Sequence, residues 1–297
     1  MTKIVSLLLF SLLFSIWGCE EDHFDSSTLS LIYPDGPESL IIGKTYHIRW
    51  NAPGGSTLRI DLYQNATFVN NIVEEISNIG VYGWLIPDII PGGTSYRIKI
   101  SDLNDPTIQA ISKNAFQLLE PGEQSTFFDA RDGRTYSTVK LGEQTWIAEN
   151  FTYDPGEGTF CYLNDTSFCM TLGRLYTQEA ALASQPDGWH LPSDSEWKEL
   201  ELYLGMEPDE LNVFGLRGQS IGELLRIKGG SGFNAIFSGY YNGCFEMFGH
   251  KSYESHFWTS SRSKDGTPII RIIGNGGGIS RLETNCHAGS SVRYIKD

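Results

Sequence analysis

Cysteine offers the most defined chemistry in this chain. Five are present, and four of them, Cys161, Cys169, Cys244 and Cys286, lie well inside the sequence. In an exported protein an even set of thiols points to disulfides. Four cysteines allow three pairings, and the favoured one closes a short loop, Cys161–Cys169, and a longer one, Cys244–Cys286. The competing use of these groups is metal binding, with Cys244, Glu246, His250, His256 and His287 as ligands. Zinc ligands usually come in tight local pairs, and neither Cys-x-x-Cys nor His-x-x-x-His occurs. No metal and no cofactor is therefore expected. Gly274-x-Gly276-Gly277-Gly278 lacks the following helix that a phosphate cradle needs, and reads as a loop between strands. His190 sits between Trp189 and Leu191 and reads as structural. No catalytic residue is assigned, and a non-enzymatic role is expected.

The fifth cysteine is Cys19. Lys3 is followed by an apolar run, Ile4 to Trp17, that is too short to span a bilayer and ends at Gly18. Residues 1–18 therefore read as a signal peptide. Ile16-Trp17-Gly18-Cys19 resembles a bacterial lipobox, although Trp17 is bulkier than the usual residue there. The resemblance implies lipidation of Cys19, with the membrane as a partner through that anchor. Cys19-Glu20-Glu21-Asp22 resembles the export signal of Bacteroidetes-type lipoproteins, which implies the outer face of the outer membrane. Residues 19–28 are then an acidic tether.

The formal net charge is −14, and no basic run is present, so nucleic acid is not an expected partner. Glycine and aromatic residues are plentiful and helix-period stretches are few, as in a mostly β protein.

Period-two alternation begins at Leu29. Leu29, Leu31 and Tyr33 share one face, as do Tyr46, Ile48 and Trp50, then Leu58, Ile60 and Leu62, then Tyr96, Ile98 and Ile100. Turn residues separate the runs at Pro34-Asp35-Gly36, Pro53-Gly54-Gly55 and Pro91-Gly92-Gly93. Short strands at regular spacing predict a β-sandwich over 29–118. Trp50 and Trp84 lie in phase with core positions, and are expected in the core rather than in a sugar-stacking platform.

The polar Pro/Gly segment within 119–126 reads as a linker. Beyond it, over 127–297, two hairpin turns precede a strand ending near Asn150. Helices are predicted at Thr177–Ser184, after the capping box Ser193-x-x-Glu196, and after Ser220-x-x-Glu223. Short strands follow at Phe257–Ser260, Ile269–Ile273 and Ser291–Ile295.

Both halves resemble known families. Tyr33-Pro34, Tyr46-x-Ile48-x-Trp50, Tyr82-x-Trp84-x-Ile86-Pro87 and Tyr96-x-Ile98-x-Ile100 resemble the yeast cell-wall synthesis N-terminal domain family, also called the Ser-Thr-rich GPI-anchored membrane family. That implies an immunoglobulin- or fibronectin-like sandwich in an extracellular setting. Trp146-x-Ala148-Glu149-Asn150, Gly173-Arg174-Leu175-Tyr176-Thr177, Gly188-Trp189-His190-Leu191-Pro192-Ser193, Phe257-Trp258-Thr259-Ser260-Ser261 and Val292-Arg293-Tyr294 resemble the Fibrobacter succinogenes major paralogous domain. Tyr294 stands where that family commonly has cysteine, which implies that Cys286 takes over the pairing. The family is similar in plan to the C-type lectin fold, so the C-terminal half is expected to be α+β and C-type-lectin-like. Gln185-Pro186-Asp187 spells a triplet that such lectins use for calcium and sugar, but it lies outside their usual loop and reads as a turn.

These features predict a non-enzymatic surface lipoprotein that binds glycans or another surface ligand. Tyr240, Tyr241, Phe245, Phe248, Tyr253 and Trp258 are the aromatics available to a ligand face. The alternatives are a surface enzyme or accessory of the formylglycine-generating fold group, and a structural subunit of an envelope assembly.

Overall fold

The computed structural model describes residues 28–284 and 287–297. Cys19, the signal peptide, most of the acidic tether and Cys286 lie outside the described residues.

The N-terminal half is a sandwich of two sheets. One has three antiparallel strands, in the order Ser30–Tyr33, Thr45–Asn51, Val81–Leu85. The other runs Ser39–Ile41, Phe116–Leu119, Gly93–Asp102, Thr57–Gln64, Thr67–Ser77, with Gln109–Ile111 paired on the Gly93–Asp102 strand. Ser39–Ile41 pairs in parallel with Phe116–Leu119, and the remaining pairs are antiparallel. The alternation seen in the sequence sets the faces. Ile48, Trp50 and Trp84 from one sheet meet Leu58, Ile60, Leu62, Ile98 and Ile100 from the other in a single buried cluster. Trp50 and Trp84 are core residues, and the Trp50 indole N–H donates to Asn78 Oδ1 at 3.0 Å.

The segment expected as a linker, 119–126, is mostly strand. Phe116–Leu119 closes the sandwich and Glu123–Asp129 already pairs with Arg134–Leu141, which leaves only residues 120–122 between strands. Pairing with a neighbouring strand outweighs the polar composition of Glu123-Gln124-Ser125.

The C-terminal half mixes short helices with several antiparallel sheets. Its main sheet runs Glu123–Asp129, Arg134–Leu141, Gln144–Ile147, Ile295–Lys296, Trp189–His190, so the last strand of the chain closes between two earlier ones. A second sheet runs Gly215–Arg217, Ile279–Glu283, Pro268–Gly274, Glu254–Arg262. A third joins Met247–Gly249, Tyr240–Asn242 and His287–Gly289. The helices are α1 (Thr166–Leu172), α2 (Gln178–Ala183), α3 (Asp194–Tyr203) and α4 (Ile221–Leu225). The Ser193 capping box forms in full at α3, and Thr177 caps α2 through its side chain. Ser220 flanks α4 without a side-chain cap, and α1 was not foreseen. Trp197 and Leu200 of α3 pack on Trp146, Phe233 and Phe257 in the second core. Among the described residues no helix is long and apolar enough to cross a membrane.

The halves share buried contacts. Ile41 and Leu119 of the sandwich belong to the same core cluster as Trp197 and Leu200. The Ser39 hydroxyl donates to Leu204 O at 2.7 Å, and Gln117 Nε2 donates to Ser39 Oγ at 2.7 Å. Gly205 lies against this joint, and a Cβ there would stand 2.2 Å from Ser39 Oγ.

Candidate functional site

A cavity of about 680 Å³ opens where the two halves meet. Its size falls in the range of small-molecule sites, which favour such junctions. Tyr33 ends the first strand and Tyr46 lies on the next, on the face that alternation assigns to the sandwich interior. At this edge the sandwich stops covering them, and their rings form one wall. The opposite wall is apolar, made by Leu224 of α4 and by Ile227 and Phe237 after it. Glu38 enters from the sandwich side, and Glu223 and Arg226 from the other.

The polar groups are held in place. Tyr46 Oη accepts the Ile41 N–H at 2.9 Å. Glu38 accepts the Asp35 N–H at 3.3 Å. Arg226 donates to Asn275 O at 3.1 Å and pairs with Glu223 at 3.4 Å. The Arg49 guanidinium lies 5.6 Å from the Tyr33 ring centroid. Burial raises the Tyr33 hydroxyl far above the usual phenol range, and the Glu38, Tyr46 and Glu223 charges push the same way. Burial also raises Tyr46. The cavity offers aromatic faces, a phenol donor and carboxylate acceptors. Neither histidine nor cysteine lines it.

Comparison with known proteins bears on the C-terminal half. The Fibrobacter succinogenes major domain matches residues 139–296, more than half of the chain. The chain belongs to the Fibrobacter succinogenes major domain family. No curated protein matches it. Two solved structures of the CARDB domain of PF1109 from Pyrococcus furiosus are similar to part of it. The crystal structure, in complex with di-metal ions, is 17% identical, covering 33% of this chain and 99% of that one at a TM-score of 0.19. The solution NMR structure is 17% identical, covering 31% and 93% at a TM-score of 0.18. Likeness at that level carries nothing about this chain's function.

Within the Fibrobacter succinogenes major domain the cysteines behave as structural groups. Cys161 and Cys169 form a disulfide across the start of α1. Cys244 is also disulfide-bonded. Its favoured partner, Cys286, lies outside the described residues, next to His287, whose backbone pairs with Asn242. Among the described residues no group of three or more His, Cys, Asp or Glu could hold a metal ion. His250 and His256 instead share Glu254 Oε1, at 2.6 and 2.9 Å. Gln185-Pro186-Asp187 is a turn, closed by Trp189 N–H donating to Pro186 O at 3.0 Å. The glycine-rich segment links the strands Pro268–Gly274 and Ile279–Glu283.

The aromatics of the ligand-face expectation are divided in the Fibrobacter succinogenes major domain. Trp258 is in the core, with its indole N–H on Tyr176 O at 2.6 Å. Tyr240 stacks on His256 at 4.3 Å, and Tyr241 packs between Phe160 and Phe248. Only Phe245 and Tyr253 of the six are broadly exposed. Trp258 lies on the end strand of the second sheet, where Ile270 on the paired strand and the Tyr176 carbonyl hold its ring in the core.

His190 bridges Asp297 at 2.6 Å and Glu196 at 2.7 Å, which joins the last residue of the chain to the capping box of α3. Burial pulls its pKa down, but hydrogen bonds to Asp297 and Glu196 outweigh that and leave it raised. A raised histidine stabilises the fold fully below its unfolded pKa and loses that contribution as pH rises through the folded value. The stability gap between the wild type and His190→Gln is therefore expected to shrink between pH 6 and 8. Thermal melts of both proteins across that window would check it, and a constant gap would refute it.

The cleft residues were not foreseen. Tyr33 and Tyr46 carried a sequence signal only as strand residues, and Glu38, Glu223 and Arg226 carried none.

Proposed function

We propose that this chain is a non-enzymatic surface lipoprotein, anchored through Cys19 to the outer membrane, that holds an extracellular glycan in the cleft between its two halves. The cleft carries this reading. Aromatic rings beside fixed carboxylates suit a sugar, whose C–H faces pack on rings and whose hydroxyls donate to carboxylates. The Tyr33 phenol adds a donor for a ring or hydroxyl oxygen. The resemblance of the N-terminal half to the yeast cell-wall family, and of the C-terminal half to the C-type lectin plan, agrees with an extracellular, carbohydrate-directed role.

The test is a glycan array probed with the chain from residue 24 onward. At least one polysaccharide is expected to bind. Tyr33→Ala, which removes a ring and a donor together, is expected to weaken it about tenfold or more, equivalent to about 1.4 kcal/mol. An array without signal, or binding unchanged in both Tyr33→Ala and Tyr46→Ala, would count against the cleft.

A further inference from the structure

The three-stranded sheet of the N-terminal half ends on Val81–Leu85. Among the described residues this strand pairs with Thr45–Asn51 on one side and with no strand on the other. The ladder fixes which backbone groups face outward. Trp50 N–H donates to Gly80 O at 3.1 Å, and Ile86 N–H donates to Lys44 O at 3.0 Å. In an antiparallel pair, residues that exchange bonds alternate with residues that do not. Gly80, Tyr82, Trp84 and Ile86 therefore turn their N–H and C=O groups to the neighbouring strand, and Val81, Gly83 and Leu85 turn theirs away from it. Gly83 is itself exposed, so this edge is open to solvent.

Proteins blunt such edges with charge, proline, bulges or a covering element. The other edges of the sandwich are blunted in these ways. Thr67–Ser77 carries the exposed Glu74 and Glu75. Ser39–Ile41 is buried against the C-terminal half. Ser30–Tyr33 breaks its register after Leu31. Val81–Leu85 has only Val, Tyr, Gly, Trp and Leu. Val81 and Leu85 are 37% and 59% exposed.

The outer face of the sheet says what an added strand would carry. Val81, Gly83 and Leu85 share that face with Thr45, His47 and Arg49, which are all exposed, and Gly83 stands directly opposite His47. A Cβ on Gly83 would meet only Thr45 Cγ2, at 3.8 Å, so the space above it is clear. A side chain opposite Gly83 on an incoming strand would lie across the glycine toward His47 and Arg49. Two strand spacings, about 10 Å, separate it from His47, within the combined reach of a glutamate and a histidine. None of the three strands holds an aspartate or glutamate, in a chain of net charge −14. The complement is one acid flanked by apolar residues that pack on Val81 and Leu85. A second copy of this edge would bring no acid to His47 and Arg49.

We propose that this edge binds an extended segment of a partner protein by strand addition, with a glutamate opposite Gly83 and β-branched residues two positions to either side. None of these residues lines the cleft, so the assignment stands whether or not the cleft takes a glycan.

Fluorescence anisotropy with the full-length protein in a zwitterionic detergent tests it. The probe is a labelled peptide, Thr-Val-Thr-Glu-Thr-Val-Thr, beside one with lysine in place of the glutamate and one N-methylated at the glutamate. The first is expected to bind with a Kd on the order of 100 μM, and each of the others at least tenfold more weakly. The N-methyl group removes the N–H that would meet Gly83 O and leaves every side chain in place. The double variant His47→Glu, Arg49→Glu is expected to reverse the order, so that the lysine peptide binds more tightly than the glutamate one. If that variant fails to fold, the N-methylated peptide on the unaltered protein decides the matter. The proposal is overturned if the glutamate peptide does not bind, if N-methylation leaves its affinity unchanged, or if the folded double variant keeps the original order. It is also overturned if the protein alone forms a dimer that Leu85→Lys dissociates, since a second copy would then hold the edge.

Discussion

Replacing Glu201 with alanine is expected to cost about 3–5 kcal/mol of folding stability, the cost of leaving buried cations without their counter-charge. Glu201 is fully buried on α3 and accepts from two guanidiniums at once. Arg217 reaches it at 2.9 and 3.1 Å, and Arg271 at 2.6 Å. Both arginine side chains are themselves buried. Arg271 also pairs with Asp194 at 2.9 Å, which in turn holds Arg281 at 2.8 Å and Lys198 at 2.7 Å. Burial pushes the Asp194 carboxyl up, but Arg281, Lys198 and Arg271 together bring it well below the usual range. Removing Glu201 leaves Arg217 with only neutral partners, the Val213 carbonyl and the Met206 sulfur, and leaves Arg271 on Asp194. Urea unfolding of the chain from residue 24 onward would measure the loss. A change below about 1 kcal/mol, the scale of an exposed pair, would contradict the buried arrangement.

Arg293 carries the second large effect. It is buried, and among the described residues no carboxylate pairs with its guanidinium. Its partners are Asn150 Oδ1 at 3.0 Å and the carbonyls of Phe233 at 2.5 Å, Asn234 at 2.9 Å and Ile147 at 3.3 Å. The Phe233 and Phe257 rings lie 4.7 and 5.6 Å from the guanidinium carbon. Burial brings its pKa down to about 9. Arg293→Met removes the buried charge but leaves several acceptors unpaired, and is expected to cost roughly 3 kcal/mol or more. Arg293→Lys is expected to recover less than half of that, because an ammonium cannot reproduce the planar fork. Full recovery by lysine in the same unfolding measurement would show that charge, rather than geometry, is what the site requires.

The parts of the fold that were legible are those whose signal is local. Alternation at Tyr46, Ile48 and Trp50 and at Tyr96, Ile98 and Ile100 placed the sandwich core, because a strand repeats every two residues whatever it packs on. Ser193 and Glu196 announced α3, since both partners of a capping box lie within one turn. The turn at Pro186-Asp187-Gly188 was equally local. What was missed depends on distant meetings. Glu201 meets Arg271 across seventy positions of chain, and neither residue type marks a buried site by itself. Tyr33 and Tyr46 read as sandwich residues, which they are. Their second role exists only once α4 and Phe237 stand opposite. Strand pairing likewise absorbed most of the segment that composition marked as a linker.

The joint between the halves has a thermodynamic consequence. Ile41 and Leu119 are counted in the core of a domain to which they do not belong by sequence, and Ser39 is bonded into the end of α3 through Leu204. Two modules linked by a slack tether would melt in two steps, each with its own heat. Here neither can open without uncovering the other's apolar surface, so a single cooperative transition is expected across the boundary. Every kilocalorie added or removed in one half is then felt in the other, and the walls of the cleft hold their spacing for as long as the whole chain is folded.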